Sequence, residues 1–430
     1  MVEIIQQSNL DRMIGTSGMI RDLIRFPRSP LDLPLHVVTA RLQDSLESGL
    51  SESVARCVAS GVSDNPQLAA ASAIGEAWER IAFVQQCNKL AQTTGVCSQM
   101  PLSSNDLFDL PYLLDRGTGR QQWAAKSAAV PYKVKEYTEY FEDKETQSCG
   151  LPAWVSTPEA LSTLFETTNG LACADSFMVA LDRAVREVVE RDALMLAWLT
   201  HCGGTRVFPD RYLSPRQCEQ ISRLSDMGIQ FRLRNISTEF GISVFLAVIF
   251  ASFPGNRVGI AFGAGAHRLP EFAARHAFRE AGLSWRGVAW RSIAGERPEQ
   301  EDMTPKSFAE HTEYYSSWKR MHLLDFLLAD DTIEDTEAAT FTGANTADYD
   351  GGHIKLLFQQ GRRILATDIT PEQAVGTGLV VVQAIVPGLV PLYIADRCAD
   401  ELALKRLPTQ IGGCTQNRPD SLNTGIHPWP

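Results

Sequence analysis

The chain contains no C-x-x-C pair, and its nine cysteines, at positions 57, 87, 97, 149, 173, 202, 218, 398 and 414, are odd in number and scattered. That spacing indicates neither a structural zinc site nor a disulfide framework. His201-Cys202 is the one suggestive neighbour pair and reads as loop or core. An uncharged apolar run of ~18 residues is missing as well, so no bilayer span is expected. The opening MVEIIQQSNLDRM lacks the basic and apolar regions of a signal peptide, and with reduced thiols this reads as a cytoplasmic protein. Positive charge is in deficit: 51 acidic against 40 basic residues leave a net charge of -11, which argues against broad nucleic-acid binding. Gly-Lys never occurs, so the G-x-x-x-x-G-K-[ST] phosphate loop is excluded. GAGAH (263–267) lacks the third glycine of a dinucleotide fingerprint.

What is present is the composition of a globular protein, 44% hydrophobic and 21% charged over 430 residues, enough for a substantial core. No low-complexity tract or long linker divides it. One integrated domain is expected, with a lead-in over 1–50, a main body over 51–430, and a polar, proline-containing tail over 412–430. Helices are predicted over 38–57, 66–90, about 176–201, 270–295 and 307–329. Strands are predicted over 229–237, 243–251, 257–265 and 378–388, the first three as antiparallel neighbours. Residues 100–155 read as a loop-heavy excursion with mixed strand signals. Without a regular βαβ alternation the class is α+β.

Two helices carry the same acidic spacing. SAIGEAWER (72–80) and EVVER (187–191) both hold Glu-x-x-Glu-Arg. On a helix, Ser72, Glu76 and Glu79 fall on one stripe, opposite Ile74, Trp78 and Ile81. Arg183, Glu187 and Glu190 form the same stripe on the later helix, against Leu181, Val185, Val188 and Val189. Either helix alone reads as a solvated face. Against that reading, both are apolar around much of their circumference, with small Ala69 and Ala73 edging the first stripe, and buried carboxylates need partners. Four carboxylates meeting in one place would repel unless a hard cation such as Mg²⁺ neutralised them, and Mg²⁺ commonly bridges carboxylates and phosphates.

The blocks GVSDNPQLAAASAIGEAWER (61–80), NGLACADSFMVALDRAVREVVERDA (169–193), GAGAHRLPEFAARHAFREA (263–281) and VVVQAIVPGLVPL (380–392) resemble, in order, those of the YcaO family. The resemblance implies a YcaO-type ATP-binding fold with mixed helices and largely antiparallel sheets. It implies ATP and Mg²⁺ as cofactors, with Glu76, Glu79, Glu187, Glu190 and Glu280 as metal ligands. Ser72, Asp175, Arg191, Arg275 and His276 would lie near the nucleotide. Three positions depart from the family pattern: Asp175 replaces an asparagine, His276 an arginine and Leu283 a glutamine.

Family members with a proline-rich C-terminus form azolines, and this chain ends Ile426-His427-Pro428-Trp429-Pro430, with two of the three family prolines. The expected activity is cyclodehydration of Cys, Ser or Thr in a ribosomally made precursor peptide, by phosphorylation of the backbone amide oxygen. The Pro430 carboxylate and His427 are the candidate bases. The resemblance also implies a separate leader-peptide-binding or E1-like partner, a flavin dehydrogenase in the same complex, and a homodimer. Competing readings are amidine or thioamide formation at the same ATP site, and a nonenzymatic ATP-binding scaffold subunit. A dimetal carboxylate bundle would want Glu-x-x-His pairs, which neither acidic helix contains.

Overall fold

Helix α1 (Pro66–Gln92) begins where the sequence supplies both a cap and a permitted proline. The Asn65 side chain accepts the N–H groups of Gln67 and Leu68 at 2.8 and 3.2 Å, and Pro66 fills the first turn. The fold is taken from a computed structural model that describes residues 13–15, 18–28, 30–43, 59–92, 114–115, 133–141, 144–153, 168–253, 257–294, 305, 308–315, 317–329, 352–393, 397–398, 400–417 and 421–429. Its chain divides into two compact units. One holds Met1–Phe26, His36–Arg191 and Tyr349–Arg406; the other holds Pro27–Leu35, Asp192–Asp348 and Leu407–Pro430.

In the first unit, β1 (Ile20–Arg25), β2 (His36–Leu42) and β3 (Ala59–Ser63) form an antiparallel sheet in that order. Helix α1 (Pro66–Gln92) contacts β2 and β3, and also β4 (Leu171–Ala174), the edge of a second, five-stranded antiparallel sheet. That sheet runs Lys144–Ala153, Lys133–Phe141, Ile364–Asp368, Val380–Ile385, β4. A helix that meets two sheets must be apolar nearly all round. Ala69, Ala73, Ile74, Ala77, Trp78, Ile81 and Phe83 are accordingly buried in one core with Val38, Ala59, Leu171, Cys173 and Val381. Helix α2 (Phe177–Leu199) follows β4 directly, and its residues from Asp192 onward belong to the second unit.

In the second unit, β5 (Gln230–Asn235), β6 (Ser243–Phe253) and β7 (Arg257–His267) are antiparallel neighbours, as expected, with Thr205–Arg206 added beside β5. Helix α3 (Pro270–Ala294) lies on β7 and β6. The glycines of GAGAH serve this packing and not a phosphate. A Cβ at Gly265 would stand 2.2 Å from the Ala273 carbonyl oxygen, and one at Gly263 would stand 2.0 Å from the Ala281 nitrogen. Gly61 plays the same part on β3, 2.0 Å from the Ala69 carbonyl oxygen by the same measure.

The acidic repetition is one part of a larger repeat. Three strand–turn–helix units, β3–α1, β4–α2 and β7–α3, share their spacing. Ala69, Ala180 and Ala273 correspond, as do Ala73, Ala184 and Ala277, and all six are fully buried. Glu76, Glu187 and Glu280 then occupy one position; Glu79, Glu190 and Leu283 the next; Arg80, Arg191 and Ser284 the last.

Three sequence expectations are corrected. The helix expected over 38–57 is strand β2 in its first part, where Val38 and Thr39 pair with β1 and β3; residues 44–58 lie outside the described set. The helix expected over 307–329 is broken into Phe308–Tyr314, a 3-10 turn Trp318–Leu324 and Asp325–Leu328, because Ser317 is extended. The excursion over 100–155 contains the long hairpin Lys133–Phe141 and Lys144–Ala153.

Candidate active site

The first acidic helix is tied to both sheets through its glutamates. Glu76 Oε2 accepts the Ser60 N–H of β3 at 3.0 Å, and its Oε1 accepts from Arg80 Nη2 at 3.2 Å. One turn on, Glu79 Oε1 accepts the Cys173 N–H of β4 at 2.7 Å. The Cys173 carbonyl in turn accepts from Arg183 Nη1 of α2 at 3.2 Å. On α2, Glu187 Oε1 lies 3.6 Å from Arg191 Nε. Glu190 is 9% exposed, so the second carboxylate of that helix is more deeply held than the first.

These contacts bring the two helices into one electrostatic site. Burial pushes the Glu79 carboxyl up to about 8, and the carboxylates of Glu187 and then Glu76 push it in the same direction. Burial likewise raises Glu187 to about 7, against the pull of Arg191 and with Glu190 adding to the rise. The thiol of Cys173 is driven far above its ordinary range by burial first and by Glu79 second. Carboxyls that hold protons near neutrality, because of burial first and neighbouring carboxylates second, are ones whose charged form a divalent cation would favour. Their hard oxygen donors suit Mg²⁺. Among the described residues no group of three or more His, Cys, Asp or Glu side chains is arranged to hold a metal ion.

The first unit thus gathers Glu76, Glu79, Glu187, Glu190 and Arg191. Ser72 is exposed one turn before Glu76, and Asp175 lies in the bend between β4 and α2. Arg275, His276 and Glu280 belong to the second unit, all on α3. There His276 Nε2 stands 3.4 Å from Glu280 Oε1, and the Arg275 guanidinium lies 5.7 Å from the Phe272 ring centre. His427 is buried in the second unit, and Pro430 lies outside the described residues.

Sequence reasoning missed two features. Arg80, which bonds Glu76, was signalled by its match to Arg191 in the repeat. The second is a buried pair, His353 Nδ1 to Asp182 Oδ2 at 2.6 Å, that joins the helix Gly352–Gln359 to α2. Nothing in the spacing of residues 171 positions apart signals it.

The YcaO family model, described as a YcaO cyclodehydratase that binds ATP and Mg²⁺, matches residues 60–390. The chain belongs to the YcaO family. The family is described as one of cyclodehydratases that bind ATP and Mg²⁺. No curated protein sequence matches this YcaO chain. Among solved structures, a heterocyclase in complex with substrate and cofactor is similar at 17% identity and TM-score 0.68, over 91% of this chain and 53% of that one. The chain therefore spans about half the length of that heterocyclase. YcaO from Methanopyrus kandleri, bound with AMPPCP and Mg²⁺, is similar at 17% identity and TM-score 0.56, over 86% of each chain. The E. coli microcin synthetase McbBCD complex with pro-MccB17 bound is similar at 14% identity and TM-score 0.60, over 95% of this chain and 96% of that one. At these identities the likeness is one of fold, and it agrees with the α+β architecture of mixed helices and antiparallel sheets. No helix among the described residues is long and apolar enough to cross a membrane.

Proposed function

We propose that this YcaO protein cyclodehydrates Cys, Ser or Thr residues of a ribosomally made precursor peptide to thiazolines or oxazolines. The observation that supports the reading is that Glu79 of α1, bonded to the Cys173 N–H at 2.7 Å, is raised to about 8 by burial and then by the carboxylates of Glu187 on α2 and Glu76, a cluster that a divalent cation would relieve. Glu76, Glu79, Glu187 and Glu190 would hold Mg²⁺, with Ser72, Asp175 and Arg191 near the nucleotide. Glu280 is assigned the same ligand type because it occupies the repeat position of Glu76 and Glu187. His276 and Arg275 beside it are proposed phosphate neighbours.

When bound, Mg·ATP supplies the phosphoryl group that turns the amide oxygen, after attack by the neighbouring side chain, into a departing phosphate. The protein's share is positioning and charge compensation. Glu76 and Glu79 are fixed by the strand amides of Ser60 and Cys173, so their carboxylates need little reorganisation. Arg80 and Arg191 keep the carboxylates from repelling one another outright. A precursor peptide and a separate leader-binding or E1-like protein are the proposed partners, with a flavin dehydrogenase in the same complex and a homodimeric assembly. The microcin complex with its bound propeptide supports the precursor peptide and a multi-protein complex by analogy of fold.

The test is mass spectrometry of the peptide encoded beside the gene after incubation with the chain, its partner, ATP and Mg²⁺. The reading expects loss of one water per modified residue, with fragmentation locating a ring at Cys, Ser or Thr. Exchange of oxygen for sulfur would instead mark thioamidation, and ATP left unconsumed would mark a scaffold subunit.

A further inference from the structure

Four consecutive carbonyls near the C-terminus each accept a hydrogen bond from a side chain of the second unit. Trp198 Nε1 donates to Gly425 O at 3.1 Å, the Tyr315 hydroxyl to Ile426 O, His311 Nδ1 to His427 O at 2.8 Å, and Thr312 Oγ1 to Pro428 O at 3.4 Å. Three of those donors lie within one short stretch, 311–315. The segment they hold is not a surface strand: His427 is 2% and Trp429 1% exposed, and the Trp429 ring meets Phe262 of β7 edge-on at 5.4 Å.

The two histidines fix each other's tautomers. A carbonyl oxygen only accepts, so the 2.8 Å contact to His427 O places a proton on His311 Nδ1. His427 Nδ1 lies 3.2 Å from that same atom and 3.3 Å from the Trp429 N–H, so it faces two donors and must carry the lone pair. Its proton is then on Nε2. The Nδ1 lone pair of His427 is thus engaged inside the tail. His311, fully buried, is held neutral by that burial, with its pKa lowered to about 4.

We propose that His311, Thr312 and Tyr315 form a latch that reads the backbone of residues 426–428, and that His311 is a positioning residue for the cyclodehydration reaction, acting through His427. The second part rests on the function proposed above. Because the latch contacts carbonyls, it selects a conformation, and Pro428 favours that conformation by fixing its own φ and offering no competing N–H.

Amide hydrogen exchange on the full chain, read together with steady-state kinetics, tests it. The double variant Thr312→Val, Tyr315→Phe removes two donors without changing core volume. His311→Leu removes the third, and His311→Asn keeps a donor near the Nδ1 position. Exchange of the amides of Gly425, Ile426, His427 and Trp429 is expected to rise at least about tenfold in the double variant and in His311→Leu, while β6 and β7 stay protected. The kcat of cyclisation should fall about as much with KM for ATP unchanged, and His311→Asn should behave as wild type. Wild-type protection of the tail in both donor-free proteins would overturn the latch. So would uniform loss of protection across β6 and β7 in the double variant, which would make these residues ordinary core. A released tail with unchanged kcat would overturn the positioning role. A wild-type chain that cyclises no peptide would remove the function reading, and the exchange data would still decide the latch.

Discussion

Glu79 Oε1 accepts the backbone N–H of Cys173 at 2.7 Å, so the second glutamate of the first acidic helix is bonded to the strand that leads directly into the second acidic helix. One carboxylate therefore sets the distance between the two halves of the site and also contributes its charge. These roles separate by substitution. Glu79→Gln keeps an acceptor and removes the charge. Glu79→Ala removes both and strands a buried N–H, and should be about 1–3 kcal/mol less stable than Glu79→Gln in urea unfolding. Equal midpoints for the two variants would mean that the bond to Cys173 contributes nothing.

The protons on Glu79 and Glu187 give the metal-free protein a specific pH dependence. Their folded-state values, about 8 and about 7, lie above the ordinary 4.5. Between about 4.5 and 8 the folded state holds protons that the unfolded state has released, so this contribution is complete at the acid end and is lost as pH rises through 7 and 8. Mg²⁺ held by these carboxylates, as proposed, would displace the same protons. The melting temperature without metal should fall from pH 6.5 to 9, and the increment from added Mg²⁺ should grow over the same range. An increment independent of pH would separate the cation from these carboxyls.

The close strand–helix contacts make a contrast among glycines. Gly265→Ala places a Cβ 2.2 Å from the Ala273 carbonyl oxygen, so α3 must lift from β7. A loss of about 1–3 kcal/mol is expected. Gly75, inside α1, would meet only the Cys173 Cβ, at 3.9 Å. Gly75→Ala should be neutral or stabilising, by up to about 1 kcal/mol, through helix propensity alone. Chemical denaturation of the two variants decides it, and a tolerated Gly265→Ala would show that the contact yields.

The helices α1, α2 and α3 were legible in the sequence because each is long and carries strong periodic or capping signals, and β5–β7 because β-branched and aromatic runs mark them. Strand β2 was not, since Val37, Val38 and Thr39 are followed by a helix-favouring ARLQDSLES and the pairing that decides the matter is with residues before and after it. The acidic spacing revealed the site's carboxylates but not their ties, because a bond from Glu79 to a backbone N–H 94 residues away leaves no local pattern. The buried alanines common to all three strand–helix units were visible as letters, yet acquire meaning only once Gly61 and Gly265 are seen pressed against them.

The central claim is that Glu76, Glu79, Glu187 and Glu190 form one cation-dependent nucleotide site. Calorimetric titration of ATP in the presence of Mg²⁺ into the wild-type chain, Glu79→Gln and Glu187→Gln tests it most directly. The account predicts at least about tenfold weaker binding in each variant, or about 1.4 kcal/mol, with urea unfolding that remains cooperative. Wild-type affinity for Mg·ATP in both variants would contradict it.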